Sequence, residues 1–334
     1  MPEIIKFSLY KNKVTKYIFG MVLACFVMPL CNAQPPRNID NFQSATWNSD
    51  GARWDIVYAL MNMGLDIFAI QEAGSLGNIS GQLQNLAAAP LPICFRGIIL
   101  AQDTYIGVSE YIWNVSGQTF YLYYYDNPVE DPDESGTSTS KQNMAIISRH
   151  RADEVIIIPK EVRGLSSSYN DDPQVVNNIS NTKKKSREDR IYVNRPVLGI
   201  RINNSVFFSI HPEPTRDRNE AGMLISSIQD YMQEYHQGRT WMVMGDFNRL
   251  PERLDAEINR VSPPDNTFRE TVSSGRITHP ARRAGQTGAE LDYAVIGGPS
   301  NLSDDIHIQA VLLLSFFQQN RIDNPSDHIP VKFN

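Results

Sequence analysis

The chain has 334 residues, of which 41% are hydrophobic, 20% charged and 10% aromatic. This composition is typical of a globular protein with a sizeable core, and it excludes a chain that is disordered throughout. The formal net charge of −6 argues against nonspecific coating of nucleic acids or anionic lipids, although it leaves room for a local basic cleft.

Residues 1–33 have the pattern of a secretory signal peptide. Lys11, Lys13 and Lys16 precede the apolar run Tyr17–Leu30, and the small residue Ala33 follows. The run is shorter than the roughly 20 apolar residues of a membrane span. We therefore expect cleavage near Ala33 and a secreted product with no transmembrane segment. Attachment of a lipid at Cys31 is a weaker alternative, because the bulky Leu30 directly precedes it.

Cleavage would change both the charge and the cysteine content. It would take away Glu3 and four lysines, which lowers the formal net charge from −6 to −9. It would also remove two of the three cysteines and leave Cys94 alone. No internal disulfide is then available, so Cys94 is either a small buried hydrophobe or a link to another chain.

The rest of the chain alternates brief apolar runs with Gly, Pro, Asn or Asp, which predicts many short strands. The predicted strands cover residues 42–47, 66–70, 119–125, 144–148, 154–158, 196–202, 205–210, 240–244, 291–296 and 309–314. Helical spacing of apolar residues predicts helices over 51–63 and 219–235 and, more weakly, near 250–260. Many strands with a few helices between them favour an α/β or α+β sandwich with helices outside packed sheets.

Two polar stretches have the composition of loops. Residues 126–141 are rich in acidic residues, Pro and Ser, and residues 163–194 show no periodicity. The second stretch is predicted to be a long surface insertion. Because no internal repeat or shift in composition marks a boundary, residues 34–334 are predicted to form a single domain.

Polar residues stand at the ends of several predicted strands. The stretch WMVMGDFNRLP (241–251) runs from an apolar strand directly into Asp246 and Asn248. Burying a carboxylate without a partner would cost several kcal/mol, so Asp246 is expected to be paired, bound to a cation or at the rim of a cleft. Apolar runs also end on Asn48, on Gln71 and Glu72, and on His211, whereas Asp292 begins an apolar run and Asp327 and His328 precede one.

Singly, each of these residues is explained at least as well by a turn, a helix cap or a structural histidine. Together they indicate a built site. Carboxylate and amide oxygens without a cysteine cluster suit a hard cation such as Mg²⁺ or Ca²⁺ and argue against structural zinc. Two histidines suit proton transfer near neutral pH. A cation, an activated water and a proton donor suit the hydrolysis of phosphate esters.

The ordered motifs QEAG, GDFN, LDY and SDHIPV, with a histidine between the first two, resemble the endonuclease/exonuclease/phosphatase superfamily. Within it, ATWN, QEAGS, NRPVLGIRI and WMVMGDFNR resemble the catalytic B subunits of cytolethal distending toxins. The similarity spans roughly residues 40–334. It implies a four-layer α/β sandwich of two packed mixed sheets with helices outside, as in deoxyribonucleases.

The resemblance implies roles for the metal-binding and proton-transferring residues. Glu72 matches the metal-binding glutamate, and Asn48 matches the asparagine lining the same pocket. Asp327, expected to help hold the metal, and His328 match the terminal Asp-His pair. His211 matches the other catalytic histidine.

Further matches concern the water and the phosphate. Asp246 and Asn248 match the pair that orients the attacking water and the phosphate. Asp292 matches the acid that holds the imidazole of His328, which would fix the tautomer of that imidazole. Arg195 matches an arginine presented to substrate phosphate.

Two positions depart from the pattern. Asn219 is the nearest match to an Asn of an Asn-Asp pair, in a loop that carries about one extra residue. Lys141 stands where relatives have arginine. A lysine keeps the positive charge but cannot make the bidentate hydrogen bonds of a guanidinium. The two residues are expected to contact substrate phosphate, and the departures bear on substrate geometry more than on catalysis.

The resemblance implies a secreted, Mg²⁺-dependent DNA endonuclease, with Ca²⁺ or Mn²⁺ as alternative ions. It further implies partner subunits that attach the chain to target cells and deliver it, with action inside those cells and in the nucleus. One alternative keeps the machinery and changes the substrate to a phosphoinositide or sphingomyelin. Another is a secreted binding subunit that no longer turns over.

Other sequence features are less informative. The basic run KKKSR (183–187) is followed at once by two acids and fits a solvated loop at least as well as a nuclear-localisation signal. Four histidines have no motif around them and are predicted to be structural: His150, His236, His279 and His307.

Overall fold

The computed structural model describes residues 38–86, 93–95, 98–99, 108–126, 143–158, 195–214, 220–259, 266–281, 285 and 287–334. These residues belong to the compact unit Arg37–Asn334. The expected signal peptide, the insertion at 163–194, Lys141, Asn219 and the side chain of Cys94 lie outside the described residues.

Strands dominate the described part of the chain. They are β1 (Ser44–Asn48), β2 (Ile67–Gln71), β3 (Leu83–Asn85), β4 (Ile93–Phe95), β5 (Ile98–Ile99), β6 (Val108–Val115), β7 (Gln118–Tyr125), β8 (Met144–Ser148), β9 (Glu154–Ile158), β10 (Val197–Ile202), β11 (Ser205–Ile210), β12 (Thr240–Asp246), β13 (Thr267–Val272), β14 (Asp292–Pro299), β15 (Ala310–Leu312) and β16 (Val331–Phe333). The α-helices there are α1 (Trp54–Asn62), α2 (Glu220–Tyr235), α3 (Pro251–Ile258) and α4 (Leu314–Asn320).

The strands form two eight-stranded sheets. The first has the order β15-β16-β1-β2-β8-β7-β6-β3, and the second has the order β13-β14-β12-β11-β10-β9-β4-β5. Both are mixed, because β1 pairs with β2 and β11 with β12 in parallel while most other neighbours are antiparallel.

Strands near the middle of each sheet are buried on both faces. In β12, Met242 and Met244 join a core cluster shared with residues of the other sheet, whereas Trp241 and Val243 pack with residues of α2 and α3. Residues of α1 and α4 cover the first sheet in the same way. The result is the predicted four-layer α/β sandwich, with a central core between the sheets and an outer core under each pair of helices.

The predicted strand over 309–314 is wrong at its end. Strand β15 stops at Leu312, and α4 begins at Leu314. The run QAVLLLSFF is apolar across the junction, and a short apolar run does not distinguish a strand from a buried helix by periodicity.

The described helices all lack the combination of length and apolar character that crossing a bilayer requires.

Candidate active site

The candidate site forms where strands of both sheets end. Asn48 is the last residue of β1, and Glu72 follows β2, which runs parallel to β1. His211 follows β11, and Asp246 ends the parallel strand β12. Just below these ends, Gln71 Nε2 of the first sheet donates a hydrogen bond of 2.9 Å to Ser209 Oγ of the second. Parallel strands deliver their carboxyl ends to one edge, so two such edges here face each other.

Gly245 explains why a glycine precedes the carboxylate in GDFN. Gly245 pairs with Ile210 across β11 and β12, and a Cβ atom added to it would lie 2.1 Å from the Ile210 carbonyl oxygen. Only glycine permits this approach of the two backbones. The close pairing places the next residues of the two strands, His211 and Asp246, side by side.

The Asp246 carboxylate is the centre of the site. Its Oδ2 accepts a hydrogen bond of 3.0 Å from Asn48 Nδ2. The same oxygen lies 3.6 Å from His211 Nε2 and 3.6 Å from His328 Nε2. Two imidazoles contributed by distant parts of the chain therefore face one buried carboxylate oxygen.

Glu72 lies beside this centre. Its Oε1 is 3.3 Å from Asn48 Nδ2 and 3.7 Å from His211 Nε2. Its carbonyl oxygen accepts hydrogen bonds from Ser49 Oγ (2.9 Å) and the Gly51 amide (2.8 Å). These contacts hold the backbone of Glu72 at a φ of 51°.

His328 is held from several sides. Its Nδ1 donates a hydrogen bond of 2.7 Å to Asp292 Oδ2, which fixes the tautomer and turns Nε2 towards Asp246. Its carbonyl oxygen accepts hydrogen bonds from Trp47 Nε1 (3.2 Å) and Asn324 Nδ2 (2.6 Å). The orientation of this imidazole is therefore set before any substrate arrives.

Arg195 and Asn248 meet at the carbonyl oxygen of Pro212. Arg195 Nη1 donates to it at 3.3 Å, and Asn248 Nδ2 donates to it at 2.9 Å. The backbone amide of Asn248 donates to Asp246 Oδ1 at 2.9 Å. Sequence reasoning missed Pro212 as an organising group, because a backbone carbonyl leaves no signature in a sequence.

Three site residues have left-handed backbones: Glu72, Arg195 and Asn248, with φ values of 51°, 46° and 50°. Such a conformation costs a non-glycine residue of order 1–3 kcal/mol and persists only where the surroundings impose it. Asn tolerates it better than Glu or Arg do. Each of these three site residues thus carries backbone strain, as do five further non-glycine residues of the described chain.

The two histidines have pKa values shifted in opposite directions. Burial lowers the pKa of His211 to about 4; the charge of Asp246 opposes this, and Arg195 and His328 add to it. Burial also disfavours the charged form of His328, but the hydrogen bond and charge of Asp292, with Asp246 and Asp327, raise its pKa to about 9.

Asp327 contacts a histidine for which the sequence showed no role. His279 Nε2 lies 2.8 Å from Asp327 Oδ2, and the His279 ring centroid is 4.6 Å from that of His328. His279 was predicted to be structural because no motif surrounds it. Its position thirteen residues before Asp292 carries no signal that would have singled it out.

The donor set fits a hard divalent cation. Carboxylate and amide oxygens of Asn48, Glu72, Asp246 and Asp327 are of the kind such ions prefer. Within the described ranges, ligand atoms of Asp246, Asp292 and His328 lie within 4.8 Å of one another, as do those of His279, Asp327 and His328. The buried Asp292 Oδ1 has no hydrogen-bond partner among the described residues.

This fold and this edge of strand ends define a class of protein. The chain belongs to the endonuclease/exonuclease/phosphatase family, whose sequence model matches residues 45–328. It is 28% identical to the B subunit of the Escherichia coli cytolethal distending toxin, over 95% of this chain and 97% of the relative. The homologous protein of Salmonella typhi is 23% identical over 96% and 98%.

A solved structure agrees with these relatives. The crystal structure of the Haemophilus ducreyi cytolethal distending toxin matches with a TM-score of 0.61 and 27% identity, covering 89% of this chain and 98% of the matched chain. The family resemblance and the four-layer fold predicted from the sequence are therefore confirmed.

Proposed function

We propose that the protein is a secreted, Mg²⁺-dependent DNA endonuclease that acts as the catalytic subunit of a genotoxin. The observation that carries the proposal is the convergence of His211 Nε2 and His328 Nε2 on Asp246 Oδ2, each at 3.6 Å. Two imidazoles that face one buried carboxylate oxygen suit the transfer of protons to and from the entering and leaving oxygens of a phosphodiester displacement.

The choice of DNA is supported by similarity to the toxin proteins named above, over nearly the whole chain. The same similarity supports separate cell-binding and delivery subunits in a hetero-oligomer, and action inside target cells, including the nucleus. Ca²⁺ and Mn²⁺ are alternative ions for the same oxygen donors.

Glu72, Asn48 and Asp327 would hold Mg²⁺, which when bound neutralises phosphate charge and activates water. Arg195 would bind the phosphate through its guanidinium; its Nε is buried and has no hydrogen-bond partner among the described residues. Lys141 and Asn219 are proposed as further phosphate contacts.

The remaining groups act on water and protons. Asp246 and Asn248 would orient the attacking water, since the backbone amide of Asn248 fixes Oδ1 of the Asp246 carboxylate while Oδ2 faces the histidines. His211 and His328 would then move protons at the entering and leaving oxygens. Asp292 would keep the His328 tautomer constant through the cycle.

Plasmid nicking in Mg²⁺, with and without a chelator, tests the proposal. The parent should nick supercoiled DNA, stop when EDTA is added and recover with excess Mg²⁺. A His211→Ala/His328→Ala variant should lose at least about 10³-fold in rate, because each general acid or base contributes about 10²–10⁴-fold. The exposed His307→Ala is the matched control.

Other outcomes would contradict it. Absence of Mg²⁺-dependent nicking, or full activity in the double variant, would refute the endonuclease proposal. Faster hydrolysis of phosphoinositide or sphingomyelin vesicles than of DNA would favour a lipid substrate. Inertness towards DNA and both lipids would favour a binding subunit without turnover.

A further inference from the structure

We propose that His279 is a positioning residue that orients the Asp327 carboxylate in the candidate site. Its Nε2 lies 2.8 Å from Asp327 Oδ2. An ionised carboxylate only accepts hydrogen bonds, so the imidazole donates. The inference rests on the proposed function, in which Asp327 helps to hold the divalent ion.

His279 is itself fixed by its backbone to the segment before β14. Its amide donates to the Ala289 carbonyl at 2.9 Å, and its carbonyl accepts from the Ala289 amide at 2.9 Å. The preceding Thr278 Oγ1 accepts hydrogen bonds from the Leu291 and Asp292 amides, at 2.9 and 3.0 Å. The backbone that carries His279 is thus attached to the backbone that carries Asp292.

The same short segment is attached to the loop that carries Asp327 and His328. The Ile329 amide donates to the Thr278 carbonyl at 2.8 Å. The ring of His279 also packs against that of His328, with centroids 4.6 Å apart and planes at 53°. Thr278 and His279 therefore join the strand that carries Asp292 to the loop that carries Asp327 and His328. The His279 side chain orients the Asp327 carboxylate within this arrangement.

A purely stabilising role fits the pair less well. The side chains of His279 and Asp327 are 27% and 22% exposed, and ion pairs with this much solvent access contribute little to folding. The backbone bonds of Thr278 and His279 already fix the segment without the imidazole. What the imidazole adds is the direction of one carboxylate.

That direction matters for a group that holds a cation. A carboxylate ligand is usually oriented by a hydrogen bond from a neighbouring group, and removal of such a neighbour typically lowers metal affinity by about 10–100-fold. We therefore expect His279 to affect Mg²⁺ dependence far more than the rate at saturating Mg²⁺.

The test compares His279→Gln, His279→Asn and His279→Ala. Glutamine places an amide nitrogen near the position of Nε2, whereas asparagine is too short to reach Asp327. Two quantities are measured: the Mg²⁺ concentration that gives half-maximal nicking, and the dissociation constant for Mg²⁺ from calorimetry without DNA. His279→Asn and His279→Ala should raise both by about 10-fold, His279→Gln by less than about 3-fold, and His307→Ala not at all.

A double variant shows whether His279 acts through Asp327. His279→Ala combined with Asp327→Asn should bind Mg²⁺ no more weakly than Asp327→Asn alone. Melting temperatures confirm that each variant is folded. If the alanine variant fails to fold, the comparison of glutamine with asparagine decides the matter.

The inference is overturned if folded asparagine and alanine variants show the same Mg²⁺ dependence as a Mg²⁺-dependent parent; the proposed function would then survive. If the parent neither binds Mg²⁺ nor nicks DNA, the proposed function fails, and the inference fails with it.

Discussion

In the part of the chain that the structure describes, two buried polar clusters that contain histidine differ in how the ring nitrogens of that histidine are paired. In the cluster of Tyr231, His236, Arg239 and Glu154, which we call the His236 cluster, both ring nitrogens have partners. Arg239 Nη1 donates to Nδ1 at 2.7 Å, and Nε2 lies 3.1 Å from the Tyr231 hydroxyl. In the candidate site, His211 Nδ1 has no hydrogen-bond partner among the described residues.

Burial does not separate the two clusters, since His211 is 4% and His236 is 6% exposed. Backbone conformation does separate the two clusters. Glu72, Arg195 and Asn248 of the candidate site have positive φ, whereas the residues of the His236 cluster do not. In the His236 cluster both imidazole nitrogens are paired and the backbone is relaxed, although the buried Arg239 Nε has no hydrogen-bond partner among the described residues. The candidate site leaves one imidazole nitrogen unpaired and holds three residues in a strained backbone conformation, as expected of a site built for a ligand.

The largest expected effect is the loss of nicking activity when the Asp292–His328 hydrogen bond is disrupted. Asp292→Asn should lower the nicking rate by about 10³-fold or more, because the amide does not hold the required tautomer of the imidazole. The melting temperature should change little by comparison. A rate within about 3-fold of the parent would show that the Asp292–His328 hydrogen bond is not required for catalysis. The exposed Asp304→Asn is the matched control.

Gly245→Ala should break the edge on which the site is built. The added Cβ would lie 2.1 Å from the Ile210 carbonyl, so β11 and β12 must separate. We expect a loss of about 2–3 kcal/mol in the free energy of unfolding, measured with urea. Gly81→Ala, where the added Cβ meets nothing within 4 Å, should show no comparable loss. Equal stability of the two variants would contradict the close approach of the strands.

Arg195→Lys sharpens the contrast between charge and geometry in the candidate site. Lysine keeps the positive charge but loses the planar fork that grips a phosphate. The expected result is a fall of about 10-fold in kcat/KM for DNA, roughly the effect of losing one charge-assisted hydrogen bond. The exposed Arg276→Lys should be silent. An unchanged kcat/KM would show that Arg195 does not bind the phosphate.

Tyr231→Phe tests the His236 cluster. It removes the hydroxyl that partners His236 Nε2, and should lower the free energy of unfolding by about 1 kcal/mol. Nicking activity should be unchanged. Tyr235→Phe is a suitable control, because its hydroxyl bonds to the neighbouring exposed Glu234. Loss of activity without loss of stability would contradict a purely structural role for this cluster.

The smallest expected effect is on the pH dependence of stability. Burial lowers the pKa of His236 below its usual 6.5, Glu154 opposes the shift, and the charges of Arg239 and Arg201 add to it. Below pH 6.5 the unfolded chain binds a proton at His236 more readily than the folded chain does. The contribution of neutral His236 to the free energy of unfolding is therefore complete above pH 6.5 and is lost as the pH falls below it.

Because His211 shifts in the same direction, this loss is measured by comparison. The decrease in melting temperature from neutral to acidic pH should be smaller in His236→Gln than in the parent. An identical decrease would mean that His236 titrates normally.

Most of the strands that carry the site are predictable from the sequence, because β1, β2, β11 and β12 are apolar runs bounded by polar residues. Strand β16 is not, since its three residues are recognisable as a strand only through pairing with β1 and β15. Residue chemistry alone indicates one site for phosphate-ester hydrolysis, whereas the role of each motif residue comes only from the family resemblance. Nothing in their spacing states that Asn48 and Asp246, separated by 198 positions, share a hydrogen bond.

The sequence by itself determined most of the element types around the site, the family and the identity of the oxygen and imidazole donors, since each depends on local pattern and residue chemistry. Only the tertiary structure decided that His279 faces Asp327, that Pro212 joins Arg195 to Asn248, and that the two site histidines have opposite pKa shifts. These properties depend on burial and on contacts between distant segments, which arise when the two sheets pack together.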